Sequence, residues 1–345
     1  MNTIAVCIGS LKIYWSAVII TLAALVFLLL ALAADRRGAN TAAVLVMFTL
    51  TVVFSILISR FLNWYCHTEQ YVSFLSAFTD YSNGGYCIIS VPTGILLSVW
   101  IVSRIGLAEN MASFADDAFF GLPAAAALIR LSALFDNTCR SKIVITASAF
   151  QRLPFAVPVT TAGGATEYRF ATFFVEFMLM LLAQALLFAF RRNNRRRRSI
   201  SEQNSTAGFG AFMSLLLFDA VELIMDSTRY DSSFVHFNGF VSIVQMFCAI
   251  TMLGILVIIS VRTVRCKGVN ARMIAIWAGF LAGIVTVGIS EYLVQRHGNW
   301  HVYCYAAMSA GVIAMTVSVY CAYLSASKKA KKSRSRRVPA PIEAG

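Results

Sequence analysis

The stretch from Phe170 to Phe190, FATFFVEFMLMLLAQALLFAF, is followed directly by RRNNRRRR at positions 191–198. An apolar run of about 20 residues is long enough to cross the ~30 Å hydrocarbon core of a bilayer as a helix. Arginines at the end of such a run are typical of the cytoplasmic side of a span. This junction therefore predicts a membrane-spanning helix and also gives its direction.

The composition of the whole chain is that of a membrane protein. Hydrophobic residues make up 59% of the 345 residues, charged residues make up 13%, and the mean hydropathy is +0.72. Soluble domains contain roughly 25% charged residues, so no large soluble domain is expected. The net charge of +13 comes mostly from Lys and Arg beside apolar runs. This placement favours anionic lipid headgroups over nucleic acid as the partner.

Nine apolar runs have the length of membrane spans. Pro92 interrupts the third run, and the sixth contains three carboxylates. We therefore predict an all-α polytopic integral membrane protein with about nine transmembrane helices. The runs cover 13–34, 42–62, 85–103, 118–136, 170–190, 207–227, 238–261, 273–294 and 303–325.

The distribution of basic residues predicts the orientation. With the amino terminus outside, 20 of the 29 Lys and Arg fall on the cytoplasmic side, eight fall outside, and one, Arg130, lies within a span. This excess predicts an external amino terminus and a cytoplasmic carboxyl terminus. The long external loop, about residues 137–169, alternates small, β-branched and apolar residues, which predicts a short hairpin or an interfacial segment.

Ionisable residues inside the predicted spans are the candidates for function. A charge near the bilayer centre costs ~2.5–3.5 kcal/mol on insertion scales, so each such residue needs a partner or a role. Arg130 lies too deep to reach the headgroups, and we expect it either to pair with a carboxylate or to bind a phosphate. The full set is Arg130, Glu176, Asp219, Glu222, Asp226 and Glu291.

Three of these carboxylates share one face of the sixth span. Asp219, Glu222 and Asp226 recur at i, i+3 and i+7, so they must face protein or a wet cavity. Arg130 and Arg229 are the expected counter-charges. Two other interpretations stay open: a structural ion-pair network that joins helices, and a secondary transporter that binds H⁺ or a cation, although no internal repeat supports the latter.

No metal or other cofactor is expected. The eight cysteines are scattered, with no CxxC motif and no metal-ligand spacing. Isolated apolar cysteines are one interpretation, and a disulfide among Cys66, Cys139 and Cys304 on the outer side is the other. Glu176, in the outer third of the fifth span, is predicted to stand alone, either as a structural residue or as a site residue.

Five segments between about residues 10 and 262 occur in an order and spacing that resemble a known family. They are Lys12–Trp15, NGGYCIISVPTG at 83–94, LIRLSALFDN at 128–137, FATFFVE at 170–176, and DSTRYD at 226–231 followed by Gln245. They resemble, in turn, the aromatic pair of the opening helix, the glycine-rich element of the third helix, the arginine-bearing signature, the PTQLYE element and the ESLRxD segment of the prolipoprotein diacylglyceryl transferases. Those enzymes move diacylglycerol from phosphatidylglycerol to the lipobox cysteine of bacterial preprolipoproteins.

The resemblance implies a fold, a location and partners. It implies a seven-helix membrane domain over residues 1–265, an additional two-helix membrane segment over 266–325, and a basic cytoplasmic tail over 326–345. It also implies a multi-pass protein of the bacterial cytoplasmic membrane that binds a phosphatidylglycerol-like phospholipid and a preprolipoprotein, and no nucleic acid.

The resemblance further implies roles for individual residues. Arg130 is expected to bind the headgroup phosphate, and Glu222 and Glu176 are the acid or base candidates. The further substrate-binding candidates are Arg229, Asp226, Asp219 and Tyr14.

Several positions depart from the family pattern. The two asparagines of the arginine-bearing signature fall on Ala133 and Asp136. The histidine of the glycine-rich element falls on Ile89, which cannot accept a proton, and the second arginine of the family falls on Glu222. These changes leave an alternative open, namely a non-catalytic lipid-binding or membrane-assembly protein on the same scaffold.

Overall fold

The computed structural model is mostly helical, and its long helices follow the apolar runs of the sequence. It describes residues 4–8, 11–35, 41–79, 86–135, 141–161, 163–197, 207–230, 232–234, 239, 241–297 and 301–335. The helices are α1 (Trp15–Ala34), α2 (Thr41–Cys66), α3 (Phe74–Thr79), α4 (Ser90–Arg104), α5 (Met111–Ala118), α6 (Leu122–Leu131), α7 (Ser148–Gln151), α8 (Thr172–Arg197), α9 (Phe209–Thr228), α10 (Ile243–Lys267), α11 (Ala271–His297) and α12 (His301–Ser335).

Among these described residues, seven helical segments are long and apolar enough to cross a membrane, which confirms the predicted class. They are α1, α2, the Met111–Leu134 segment that contains α5 and α6, α8, α10, α11 and α12. The third and sixth predicted spans also form helices, but α4 has only 15 residues and α9 contains three carboxylates. The count of nine spans therefore stays a prediction.

The fourth span differs from its predicted bounds. It begins at Met111 rather than at 118, because the side chain of Asn110 accepts hydrogen bonds from the backbone N–H groups of Ala112 and Ser113 and so caps α5. A 3₁₀ turn over Phe119–Gly121 joins α5 to α6. The resulting helical segment ends at Leu134, and the predicted end of the span at 136 lies outside the described residues.

Two short antiparallel hairpins accompany the helices. The first pairs β1 (Ile4–Ile8) with β2 (Leu11–Tyr14) directly before α1, and the sequence patterns did not predict it. The second pairs β3 (Ala156–Thr160) with β4 (Thr166–Phe170), which confirms the hairpin, one of the two structures predicted for the loop at about 137–169.

Small and amide side chains allow the helices to approach closely. A Cβ on Gly94 of α4 would lie 2.7 Å from Ser55 Oγ of α2, so these two helices are nearly in backbone contact. Between α6 and α8, Gln184 accepts a hydrogen bond from the Ala124 backbone N–H and donates one to the Phe120 carbonyl, each at 3.1 Å. Both amide atoms thus satisfy backbone groups near the 3₁₀ turn.

The last two helices share the core of the preceding ones. Phe280 of α11 and Met315 of α12 belong to the same buried apolar cluster as Phe218 of α9 and Leu256 of α10. Near the end of α11, the Lys142 ammonium donates a hydrogen bond to Gln295 Oε1 at 3.0 Å. The predicted division of the chain near residue 265 is therefore crossed by one continuous apolar core.

Candidate functional site

Arg130 lies in the last turn of α6 with 5% of its surface exposed. The four alanines at 124–127 are buried, so α6 packs closely against its neighbours and carries the arginine into the bundle. A guanidinium buried to this degree requires anionic partners.

Two carboxylates from two other helices meet this guanidinium. Arg130 donates two hydrogen bonds to Glu222 of α9, from Nε to Oε1 at 3.3 Å and from Nη2 to Oε2 at 2.5 Å. Glu176 of α8 places Oε1 2.6 Å from Nε. The contact predicted between Arg130 and the carboxylates of the sixth span is therefore confirmed for Glu222. Because bidentate pairs of this kind fix orientation as well as charge, α6, α8 and α9 are tied together at one point.

The prediction that Glu176 stands alone is wrong. The sequence placed it and Arg130 on different spans with no pattern that links them, whereas α6 and α8 pack side by side and bring them together. Its contact differs from that of Glu222, however, since neither Glu176 oxygen accepts a hydrogen bond of ordinary direction from the described residues. Glu176 therefore has unused acceptor capacity beside the guanidinium.

The other two carboxylates of α9 are also buried, as their shared face predicted. Asp219 is 0% exposed, and its Oδ2 accepts a hydrogen bond from Thr251 Oγ1 of α10 at 2.6 Å. Its partner is thus a hydroxyl, whereas the sequence predicted a cation. Asp226 is buried one turn before Arg229, whose backbone N–H donates to the Asp226 carbonyl at 3.1 Å. The predicted substrate-binding roles of these three residues stay predictions.

Residues 141 and 142, in the loop that follows α6, form hydrogen bonds with the last residue of α9. Ser141 Oγ donates to the Thr228 carbonyl at 3.0 Å, and the Lys142 backbone N–H donates to the same carbonyl at 2.9 Å. The hydroxyls of Thr228 and Thr172 lie 3.0 Å apart, which connects this point to the start of α8. These hydrogen bonds connect residues 141–142, the end of α9 and the start of α8.

Tyr14 and Ile89 lie at the starts of two other helices. Tyr14 is 45% exposed at the end of β2, and its neighbour Trp15 stacks on Phe135. Ile89 is buried directly before α4, where its carbonyl accepts a hydrogen bond from Thr93 Oγ1 at 2.7 Å. The predicted lipid contact of Tyr14 stays a prediction, and the Ile89 side chain supplies no acid, base or ligand atom.

A second buried arginine was missed. Arg60 near the end of α2 is 1% exposed, and its guanidinium lies 5.0 Å from the centroid of the Tyr86 ring. It was counted among the eight outer basic residues and left out of the ionisable residues within the predicted spans. Its position inside the apolar run 42–62 was the signal that could have identified it.

A family model described as prolipoprotein diacylglyceryl transferase matches residues 3–261. That range contains α1 to α9 and most of α10, and with them Arg130, Glu176 and Glu222. The match ends before α11 and α12. No curated protein matches the chain.

Proposed function

The chain belongs to the prolipoprotein diacylglyceryl transferase family, and from this premise we propose that it transfers a diacylglyceryl group from phosphatidylglycerol to the thiol of a lipobox cysteine. The observation that carries the proposal is the buried arginine at the meeting point of α6, α8 and α9, with two carboxylates on it. A cation of this kind is suited to a phosphate in a water-poor site.

The proposed reaction replaces a carbon–oxygen bond with a carbon–sulfur bond. The thiol gives its proton to a carboxylate, the thiolate attacks the glyceryl carbon next to the phosphate, and glycerol phosphate leaves with the bonding electrons. Arg130 binds the departing phosphate. Glu176 is the proposed base, because its oxygens accept no well-directed hydrogen bond within the described residues.

Glu222 has a different proposed role. Its bidentate contact occupies the face of Arg130 that a phosphate would use, so the substrate phosphate has to displace it. Glu222 therefore holds Arg130 in place before the lipid binds. Arg229 and Asp226 at the end of α9, Asp219 beside Thr251, and Tyr14 at the start of α1 are the further substrate-binding candidates.

The proposed location is the bacterial cytoplasmic membrane, with the amino terminus outside and the carboxyl terminus in the cytoplasm. The excess of arginine at the ends of α8 and α10 supports this orientation. The proposed partners are phosphatidylglycerol and a preprolipoprotein, and the proposal requires no cofactor.

A non-catalytic lipid-binding or membrane-assembly protein on the same scaffold is the second candidate. The observation that favours it is Ile89, which is buried where the family resemblance places a histidine. Without that histidine, the proton has to go to a carboxylate that already lies beside a guanidinium.

The test is transfer of a labelled diacylglyceryl group from phosphatidylglycerol to a lipobox peptide by the full chain in lipid nanodiscs. We expect Glu176→Gln to lower transfer ~10²–10⁴-fold, the usual contribution of a general base. Arg130→Lys keeps the charge but loses the planar fork, and we expect it to lower transfer as well.

The matched control is Glu291→Gln. Glu291 is also a buried carboxylate, but it lies on α11 and accepts a hydrogen bond from Gln295 at 2.8 Å. We expect it to leave transfer unchanged. No transfer by the wild-type chain, together with retained binding of phosphatidylglycerol, would favour the non-catalytic candidate. Full activity of Glu176→Gln would overturn the assignment of the base.

A further inference from the structure

An open apolar groove lies at the arginine-rich end of the bundle, which we define as the end where α8 and α10 finish in arginines. The groove is shallow and lies between the start of α9, the end of α10 and the middle of α12, with about 220 Å³ of space that includes the open side. Phe212 and Leu216 of α9, Ile259 of α10, and Val319 and Tyr320 of α12 are among its lining residues. No charged side chain lines the groove within the described part of the chain, so the interior suits a hydrocarbon chain.

A cation lies next to this lining. The Arg262 guanidinium is 5.8 Å from the centroid of the Phe209 ring and 5.9 Å from that of Phe212. Arg262 is exposed, as is Arg265 one turn further along α10. The groove therefore joins an apolar interior to a positively charged rim, which is the complement of an anionic amphiphile.

The groove is separate from the Arg130 cluster. Leu216, the groove residue of α9 nearest to Glu222, is six residues from it, which corresponds to ~9 Å along the helix axis. In addition, the α12 wall, with Val319 and Tyr320, lies beyond residue 261, where the family match ends. The groove is thus built partly from the two helices that follow the matched region.

We propose that this groove binds one acyl chain of an anionic phospholipid, with the lipid phosphate on Arg262. Tyr320 is 40% exposed, so the groove is open on the side of α12. The α12 wall of the groove lies in a helix long and apolar enough to cross a membrane, so the apolar molecule that surrounds this opening is the lipid tail. The charge on the rim selects lipids with an anionic headgroup. This site is independent of diacylglyceryl transfer.

The experiment places a fluorescent reporter in the groove. The full chain carrying Tyr320→Trp is put into nanodiscs that contain phosphatidylglycerol or phosphatidylcholine with brominated acyl chains, which quench nearby tryptophan. The same measurement on the chain without Tyr320→Trp is subtracted, because five native tryptophans also emit. We expect phosphatidylglycerol to quench the reporter at lower lipid fractions than phosphatidylcholine.

Two variants and one control decide the outcome. Arg262→Gln should reduce the preference for phosphatidylglycerol about fivefold, the effect of one basic residue at a membrane surface. Met213→Phe, which adds volume to a lining position, should reduce quenching by both lipids. Arg104→Gln is the matched control, since Arg104 is an exposed arginine whose guanidinium is 5.6 Å from the Trp100 ring centroid, away from the groove.

Equal quenching by the two lipids in the wild-type background would overturn the proposal. So would an equal loss of preference in Arg262→Gln and Arg104→Gln, because the effect would then belong to surface charge in general. Neither result depends on whether the chain transfers a diacylglyceryl group.

Discussion

Replacing Arg130 with alanine should destabilise the whole helix bundle. Glu176 and Glu222 are both 0% exposed, so the substitution leaves two buried carboxylates without their guanidinium. Removing one partner of a buried pair typically lowers the free energy of unfolding by ~3–5 kcal/mol. We therefore expect Arg130→Ala to lose stability within that range or above it, which makes it a poor variant for testing catalysis alone.

The same geometry predicts a partial rescue. Adding Glu222→Gln to Arg130→Ala removes one of the two orphaned charges, and we expect it to recover ~0.5–3 kcal/mol of the loss, the usual coupling energy of residues in contact. Glu222→Gln by itself should cost less than Arg130→Ala, because Arg130 keeps its contact with Glu176 at 2.6 Å.

The assay is unfolding in mixed micelles with an increasing fraction of denaturing detergent, followed by tryptophan fluorescence. Arg104→Ala is the control, since it removes an exposed arginine that lies over Trp100, and it should cost only ~0.5–1 kcal/mol. Ordinary surface substitutions change the free energy of unfolding by up to ~0.5 kcal/mol. If Arg130→Ala stayed within that range of the wild type, the buried ion pair would be refuted. Failure of Glu222→Gln to restore any stability would refute its role as the partner.

Two further predictions concern close helix packing, measured in the same unfolding assay. Gly283→Ala should destabilise the α11–α12 hairpin by ~1–3 kcal/mol through overpacking, because its Cβ would lie 2.7 Å from the Gly311 carbonyl oxygen. Gly288→Ala on the same helix meets nothing within 4 Å, so equal losses at the two glycines would contradict this explanation. Gly94→Ala should weaken the α2–α4 contact, since its Cβ would lie 2.7 Å from Ser55 Oγ. Adding Ser55→Ala should recover part of that loss, and no recovery would show that the conflict is with the backbone.

The apolar runs predicted most of the fold because each helix that crosses a bilayer needs its own run of about 20 apolar residues. The helix starts at Trp15, Thr41 and Ala271 lie within a few residues of the predicted bounds. Capping by Asn110 is a local side-chain effect that hydropathy does not record, so the start of the fourth span was placed too late. The hairpin before α1 was missed because its strands have only five and four residues, and the wholly apolar β1 shows no alternation that would mark a strand.

The candidate site was predictable only in part, for a different reason. The spacing of the three carboxylates on α9 fixed their common face, and the cost of burying them required a cation nearby. Which residue takes which partner depends on how α6, α8 and α10 pack against α9, and a single sequence does not contain that information. Thus the contact of Glu222 with Arg130 was predicted, whereas the Arg130 contact of Glu176 and the Thr251 hydrogen bond to Asp219 were not.

The ion pair between Arg130 and Glu222 also bears on how the protein enters the membrane during synthesis. Each charge near the bilayer centre adds ~2.5–3.5 kcal/mol to the cost of inserting a helix into lipid. With three carboxylates, α9 is therefore the helix least able to leave the translocation channel for lipid by itself. Its counter-charge lies 92 residues earlier in the chain, so the arginine is already in place when α9 is made. The order of the sequence thus lets α9 move from the channel directly against α6, where Glu222 meets its partner at once, whereas the Thr251 partner of Asp219 follows with α10.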